Sequence, residues 1–355
     1  MKSSFFQKLL IVLMPLSVVV RLVYRIRRYL FVIDHYKSVR FKPRTVSVGN
    51  VTMGGTGKTP FLKWLLRQVN CDLEVLVSSR GYRSNSESNE KFISVDSKRN
   101  EKMASESYSA KEIGDENIEL LSCLKAGGLA VGKKRTSIIR KALWCKRFDL
   151  ILLDDGFQHL QINRDFNIVL FNSIMDTSLL RVFPAGTLRE GLASLYSADL
   201  VIYTNCLSEK ISHEESLLRS RVKPYLSKYA VEFRSKTILK QVVDVKSGQE
   251  MKDFNGQPFV LVSAIASPRK FRQLVESEQV NVLDHMSFPD HHFFNLKDYE
   301  RINEAIKQYN APVLLTRKDV AKFDCNMVEG SVFVCDVEIS FFGKEQLVLD
   351  LVLGD

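Results

Sequence analysis

Past residue 45 the chain alternates short apolar runs with amphipathic stretches. Residues 45–48, 73–78, 150–153, 167–171 and 200–203 are rich in apolar or β-branched side chains and read as strands. Residues 61–69 and 118–125 carry helical spacing between them. This alternation predicts an α/β fold, a mostly parallel sheet flanked by helices on both faces. Ligands on such sheets bind beyond the carboxyl ends of the strands. Residues 83–112 break the rhythm with Ser, Asn, Glu and Lys, and only 92–95 looks like a strand, so a polar surface excursion or flap is expected there. Residues 212–222 read as a polar helix that joins two halves and is stopped by Pro224. Beyond it, 258–265, 281–285, 312–316 and 331–337 look like the strands of a smaller α/β unit. The expected organisation is an N-terminal apolar and basic helix over 1–40, a larger domain over 41–210 and a smaller one over 211–355.

The opening segment changes the picture. An apolar run over 9–20, broken at Pro15 and Ser17, is shorter than the roughly twenty residues that span a bilayer. Arg21, Arg25, Arg27 and Arg28 follow among Leu22, Val23, Tyr24, Ile26 and Tyr29. Of the formal net charge of +10, residues 1–45 hold +9, so basicity is one local device rather than a surface interleaved through the fold, and nucleic acid is excluded as a partner. Arginines and aromatics beside an apolar helix suit the lipid interface and its anionic head groups. A signal peptide fits less well, because no A-x-A site follows and the arginines lie on the wrong side. The expectation is a peripheral or monotopic anchor on an anionic membrane surface. Cys71, Cys123, Cys145, Cys206, Cys325 and Cys335 form no C-x-x-C pair, which argues against zinc and against a secreted disulfide framework.

Residues 48–60 read Val-Gly-Asn-Val-Thr-Met-Gly-Gly-Thr-Gly-Lys-Thr-Pro, between an apolar run and a helical stretch. This is a phosphate-cradling P-loop, in which backbone N–H groups and a helix N-terminus face phosphate oxygens. Thr52, Met53, Gly54, Gly55, Thr56, Gly57, Lys58 and Thr59 would hold ATP, with Lys58 on the β- and γ-phosphates and Thr59 on Mg²⁺. The usual spacing places glycine at 52, where this chain has Thr52; Gly54 and Gly55 supply the flexibility instead. The apolar run 150–153 ends in Asp154-Asp155-Gly-Phe-Gln-His159, where a P-loop protein places the acid that supports Mg²⁺. Gly114-Asp115-Glu116 introduces a helix and serves equally as an N-cap with first-turn acids. Asp290-His291-His292 sits in a loop of the second part. Arg80, Arg135 and Arg189 fall in loops, and their planar forks suit phosphate.

Together these motifs, with Leu188-Arg189-Glu190, Phe288-Pro289-Asp290-His291-His292 and the stretch 316–322, resemble the tetraacyldisaccharide 4'-kinase family of lipid A biosynthesis. The resemblance runs along most of the chain, and G-N-x-T-x-G-G-x-G-K-T-P is similar to that family's own P-loop. It implies ATP-dependent, Mg²⁺-supported phosphorylation of the 4'-hydroxyl of a tetraacyl-disaccharide 1-phosphate at the cytoplasmic face of the bacterial inner membrane, giving lipid IVA and ADP, with no obligatory protein partner. It implies a P-loop domain with a smaller second domain. By position, Asp115 would accept the hydroxyl proton with His291 as its partner, and Lys58 and Arg189 would neutralise the γ-phosphate. Thr59, Asp155 and Glu190 would hold the metal. Glu116, Asp154 and His159 would line the same cleft, and Arg135 would meet the lipid's 1-phosphate. The chain has Asn117 and Arg317 where the family commonly has Pro and Glu. A membrane-recruited ATPase switch of the partitioning type is the rival reading, but such proteins carry a lysine before the paired glycines, where Met53 stands. A nucleotide-binding scaffold without chemistry is the other; it would leave Asp115 and His291 incidental.

Overall fold

The apolar run after Arg44 becomes a central strand whose remaining residues are all buried. It can be apolar on both faces because helices cover both faces of a parallel sheet. The computed structural model describes residues 12–69, 73–82, 84–96, 108–265, 267–290, 292–320 and 322–354. The chain divides into two units, Met1–Lys236 with Ser340–Asp355, and Thr237–Ile339. In the first, the elements are α1 (Met14–Val32), β1 (Arg44–Gly49), α2 (Lys58–Gln68), β2 (Val75–Ser79), β3 (Lys91–Val95), α3 (Asp115–Leu121), β4 (Gly127–Val131), α4 (Arg135–Cys145), β5 (Leu150–Asp154), β6 (Phe166–Asn172), β7 (Leu200–Thr204), α5 (His213–Val222) and β8 (Val231–Arg234). The strand order is β3-β4-β2-β5-β1-β6-β7-β8, parallel except where β3 runs antiparallel on β4.

The five expected strands of this unit are present within a residue or two, and β3 answers to 92–95. The described part of the polar excursion thus extends the sheet. β4 escaped the periodic reading because Gly127 and Gly128 open it, and glycine reads as a breaker. Both are required by close approach: a Cβ on Gly127 would lie 2.0 Å from the Val75 carbonyl oxygen, and one on Gly128 would lie 2.6 Å from the Phe92 ring. α4 begins at Arg135, expected in a loop, and its buried Ile138, Ile139 and Ala142 pack on the sheet.

The second unit holds β9 (Lys236–Asp244), β10 (Glu250–Met251), β11 (Pro258–Ser263), α6 (Pro268–Ser277), β12 (Asn281–Ser287), α7 (Leu296–Tyr309), β13 (Val313–Thr316), α8 (Arg317–Val320) and β14 (Val332–Ser340). Its strand order is β10-β9-β14-β13-β11-β12. Alternation along β13 sends Val313 and Leu315 to one core and Leu314 to the other, so both faces are covered.

The expected boundary at 210/211 moves to 236/237, for a physical reason. Ser212 does cap α5, accepting from the Glu215 N–H. Yet α5 packs Leu218 and Val222 into the core around Tyr203, and Arg234 on β8 forks onto the Glu215 carboxylate at 2.6 and 2.8 Å. Residues 340–355 also leave the expected second domain. They return to the first unit as α9 (Glu345–Leu353), where Arg44 donates to the Leu351 and Val352 carbonyls at the helix end. Phe341, fully buried, sits edge-on to Phe61 and 4.8 Å from the Trp64 ring. Phe341→Ala should therefore destabilise the first unit by about 3–5 kcal/mol, read as a lowered urea midpoint in the fluorescence of buried Trp64; an unchanged midpoint would mean that the C-terminal segment is only loosely seated.

Candidate active site

Parallel pairing sets Val48 directly beside Asp154, so the loops after β1 and β5 emerge together at the carboxyl end of the sheet. Gly49 permits the contact: a Cβ there would lie 2.6 Å from that of Phe157 in the turn after β5. Gly54 and Gly57 take left-handed backbone, φ 100° and 82°, which suits glycine and turns the loop into the start of α2. Asn50 Nδ2 donates to Thr56 Oγ1 at 2.9 Å, and Thr204 Oγ1 donates to the Thr56 carbonyl at 3.0 Å, which hold the loop's shape. Thr52 is buried and pairs its backbone with Leu188, while Met53 N–H donates to Thr187 and Arg189 N–H to Val51. Position 52 is thus strand-like, which explains why threonine serves where a glycine is usual.

Lys58 opens α2, and its Nζ lies 3.4 Å from Asp155 Oδ1. Arg189 Nη1 donates to Asp155 Oδ2 at 2.6 Å. Burial pushes the Asp155 carboxyl up, but Lys58 and Arg189 more than offset it, and its pKa is held below the ordinary value. Its neighbour Asp154 behaves oppositely. Burial, with the Glu116 charge next, pushes it up to about 6 against the pull of Arg135. Asp115 and Glu116 begin α3 behind Gly114 at φ 94°, and Lys63 of α2 pairs with Glu119 of α3 at 2.9 Å, which fixes α3 against the P-loop helix. Asn117 is buried and donates to the Ile113 carbonyl at 2.6 Å, so a hydrogen bond stiffens this turn where the family commonly has proline.

A cavity of about 530 Å³ opens beside these groups. Asp155, Arg189, Arg80, Arg135 and His159 reach it from the body, and Val20 and Tyr24 from α1. Arg135 is 4% exposed, and its Nη1 has no hydrogen-bond partner among the described residues, so a buried cation with spare donor capacity lines the cavity. His159 Nε2 is likewise buried without a partner there. Thr59 is buried on the first turn of α2.

Two expectations need correction. Glu190, expected at a metal, is 3% exposed and has both carboxylate oxygens on the Arg28 guanidinium, at 2.6 and 2.9 Å, with Gln158 Nε2 also donating to it at 3.0 Å. A carboxylate so neutralised is a poor cation ligand. Arg27 and Arg28, expected at lipid head groups, turn inward instead: Arg27 donates to the Gln158 carbonyl and Arg28 lies over the Phe157 ring. Arg21 and Arg25 remain exposed. His291 lies outside the described residues; His292 stacks on Phe288 and pairs with Asp298 at 2.8 Å, a contact within the second unit. Among the described residues no His, Cys, Asp and Glu group forms a ready-made metal cage. Gln158 ties Asn50 to Glu190, a role that the local pattern after β5 does not signal because both partners lie far off in the sequence.

Residues 9–353 match the family model described as tetraacyldisaccharide-1-P 4'-kinase. The chain belongs to the tetraacyldisaccharide 4'-kinase family. A tetraacyldisaccharide 4'-kinase of Bdellovibrio bacteriovorus is 31% identical over 78% of this chain and 78% of its own. One of Halothermothrix orenii is 29% identical, covering 95% and 91%. The fold matches the crystal structure of LpxK from Aquifex aeolicus in complex with ATP, with a TM-score of 0.72 and 24% identity over 97% of this chain and 99% of that one. Kinase chemistry in lipid A biosynthesis, expected from the motifs, is the step for which the tetraacyldisaccharide 4'-kinases are named.

Burial, then Arg135, Arg164 and Arg27, hold the His159 imidazole down at about 4 from an ordinary 6.5. Between those values the unfolded chain binds a proton that the folded chain refuses, so the His159 contribution is complete above pH 6.5 and is lost as pH falls towards 4. Asp154, raised from 3.8 to about 6, acts in the opposite sense over an overlapping window. The difference between variants isolates the histidine. His159→Gln should gain about 2 kcal/mol on the wild type when the pH is lowered through this window, measured as paired urea midpoints; a pH-independent difference would show that the folded protein accepts the proton.

Proposed function

We propose that this kinase transfers the γ-phosphate of ATP to the 4'-hydroxyl of a tetraacyl-disaccharide 1-phosphate at the cytoplasmic face of the inner membrane, giving lipid IVA and ADP. The observation that carries the reading is the cluster of Lys58, Asp155 and Arg189 at the P-loop, with Asp155 and Arg189 opening on a cavity that α1 also lines. Lys58 and Arg189 would neutralise charge that builds on the transferred group. Asp155 Oδ1 is buried and accepts no hydrogen bond among the described residues, and Thr59 stands on the first turn of α2, a hard-oxygen set that fits Mg²⁺. Mg²⁺ held by Thr59 and Asp155 would add positive charge at the phosphates; Glu190, paired to Arg28, takes no part in holding it.

In the transfer, the sugar oxygen forms a bond to the γ-phosphorus as the bond to the β–γ bridging oxygen breaks, and the hydroxyl proton passes to Asp115. ADP leaves with the bridging oxygen. The assignment of His291 as the partner of Asp115 rests on the family resemblance. Arg135 and Arg80 would take the acceptor's 1-phosphate, since both are cationic and line the cavity. Closure of the site around in-line reactants would limit hydrolysis by water.

Residues Leu16, Val19, Leu22, Val23, Ile26 and Tyr29 of α1 are exposed, beside exposed Arg21 and Arg25. No helix among the described residues is long and apolar enough to cross a membrane. An exposed apolar face flanked by arginines suits a helix lying in the lipid interface, where the acyl chains of the acceptor also reside.

The test is transfer of labelled γ-phosphate from ATP to tetraacyl-disaccharide 1-phosphate in detergent micelles. Lys58→Ala should abolish labelling. Asp115→Ala should slow it about 10²–10⁴-fold with ATP affinity nearly unchanged, and normal transfer by this variant would remove Asp115 as the base. ATP turnover that ignores the lipid would favour an ATPase switch. Leu22→Ser with Ile26→Ser should weaken binding to vesicles containing anionic lipid by at least about tenfold; equal binding would mean that α1 is not the membrane contact.

A further inference from the structure

Glu190 is a junction between parts of the chain that sequence separates widely. Arg28 of α1 reaches it with Nε at 2.6 Å and Nη2 at 2.9 Å. The same guanidinium donates to Ser197 Oγ at 3.2 Å and to the Phe157 carbonyl at 3.3 Å, so the fork is held from several sides. Gln158 donates to Glu190 Oε1 at 3.0 Å and to the Asn50 carbonyl at 2.8 Å, which brings in both the turn after β5 and the start of the P-loop. Immediately before Glu190 stands Arg189, whose side chain meets Asp155 and whose backbone N–H is bonded to Val51. A second tie seats α1 further along, where the Ala185 N–H donates to Ser17 Oγ at 2.9 Å.

From this geometry we infer that Arg28 is a positioning residue for phosphoryl transfer: the seating of α1 is transmitted through Glu190 to Arg189 and its contact with Asp155. The inference rests on the kinase reading above. It gives α1 a role beyond attachment. The face turned to the exterior is mostly apolar, with Arg21 and Arg25 also exposed, whereas the face turned to the body carries the arginine that holds the catalytic loop. A bidentate pair suits this task, because two parallel hydrogen bonds fix direction as well as distance. A lysine would keep the charge and lose the direction. Displacement of a catalytic group by about 1 Å can cost about 100-fold in rate, so a looser Glu190 would be felt at Arg189 without any change in what binds the substrates.

The experiment compares Arg28→Met, Arg28→Lys, Glu190→Gln and the double variant Arg28→Met/Glu190→Gln in the full chain. Transfer of labelled phosphate to tetraacyl-disaccharide 1-phosphate is measured in micelles, with kcat and the KM of each substrate determined separately. Melting temperature and affinity for ATP are recorded alongside. The double variant matters because it leaves no buried charge unpaired, which keeps the test decisive should Arg28→Met alone fail to fold. Arg28→Met should lower kcat at least about tenfold with either KM changed less than about threefold. Arg28→Lys should recover part of kcat, and the double variant should be no slower than the slower single one, as members of one unit behave. A rise confined to the KM of the lipid would overturn the inference, since it would make α1 a tether alone. Additive losses in the double variant, or a fall in kcat that merely follows the folded fraction, would overturn it too. Wild-type labelling in the same assay separates this outcome from failure of the kinase reading itself.

Discussion

A charge buried without a partner is costly, and the carboxyl ends of β1 and β5 crowd several together. Asp154 ends an apolar strand and Asp155 opens the turn after it, where they cannot be shielded by water on all sides. Asp155 is accommodated by Lys58 and Arg189, Asp154 by a raised pKa and by buried Arg135. Glu190 needs Arg28 for the same reason. Removing one member of such a buried pair costs about 3–5 kcal/mol, so the loops that carry them are not independent. The turns after β1, β5 and β6 and the N-terminal helix satisfy one another's charges and thereby take one arrangement.

That arrangement also suits the proposed transfer. Cations assembled to stabilise carboxylates are those that would receive phosphate, since both present oxygen acceptors to a planar or tetrahedral donor. Among the described residues Arg135 Nη1 has no hydrogen-bond partner, and Asp155 Oδ1 has only the Lys58 ammonium at 3.4 Å, so the region holds donor capacity for an anion and an acceptor oxygen beside it. The neutral imidazole of His159, kept uncharged by burial and by nearby arginines, adds a polar group without adding charge. α1 closes one side of the cavity with Val20 and Tyr24, so an amphiphilic acceptor would meet apolar and cationic walls together.

Much of this was legible along the chain. The P-loop, the paired aspartates after an apolar strand and the parallel α/β alternation are local patterns: each depends on neighbours within one strand, one turn or one helix start. Strand β4 was not, because its glycines serve close packing against Val75 and Phe92, partners far away in sequence. α4 was missed where Arg135 follows Gly132 and two lysines, a run that resembles a loop until the apolar face of the helix finds the sheet. The expected domain boundary failed through the Arg234–Glu215 fork and the Phe341 packing, which are long-range contacts.

Arg28 marks the limit most sharply. Among four arginines on one amphipathic stretch, composition says that the helix meets something polar on one side and apolar on the other, but helical rotation alone does not say which arginine stays exposed and which meets protein. That was decided by Glu190, a residue 162 positions away in the chain. The sequence by itself determined the nucleotide-binding loop, the sheet type and the chemical class of the site, since these follow from backbone preferences and short-range periodicity. Only the tertiary structure decided which charges pair, because pairing depends on where desolvated groups come together rather than on what stands beside them in the chain.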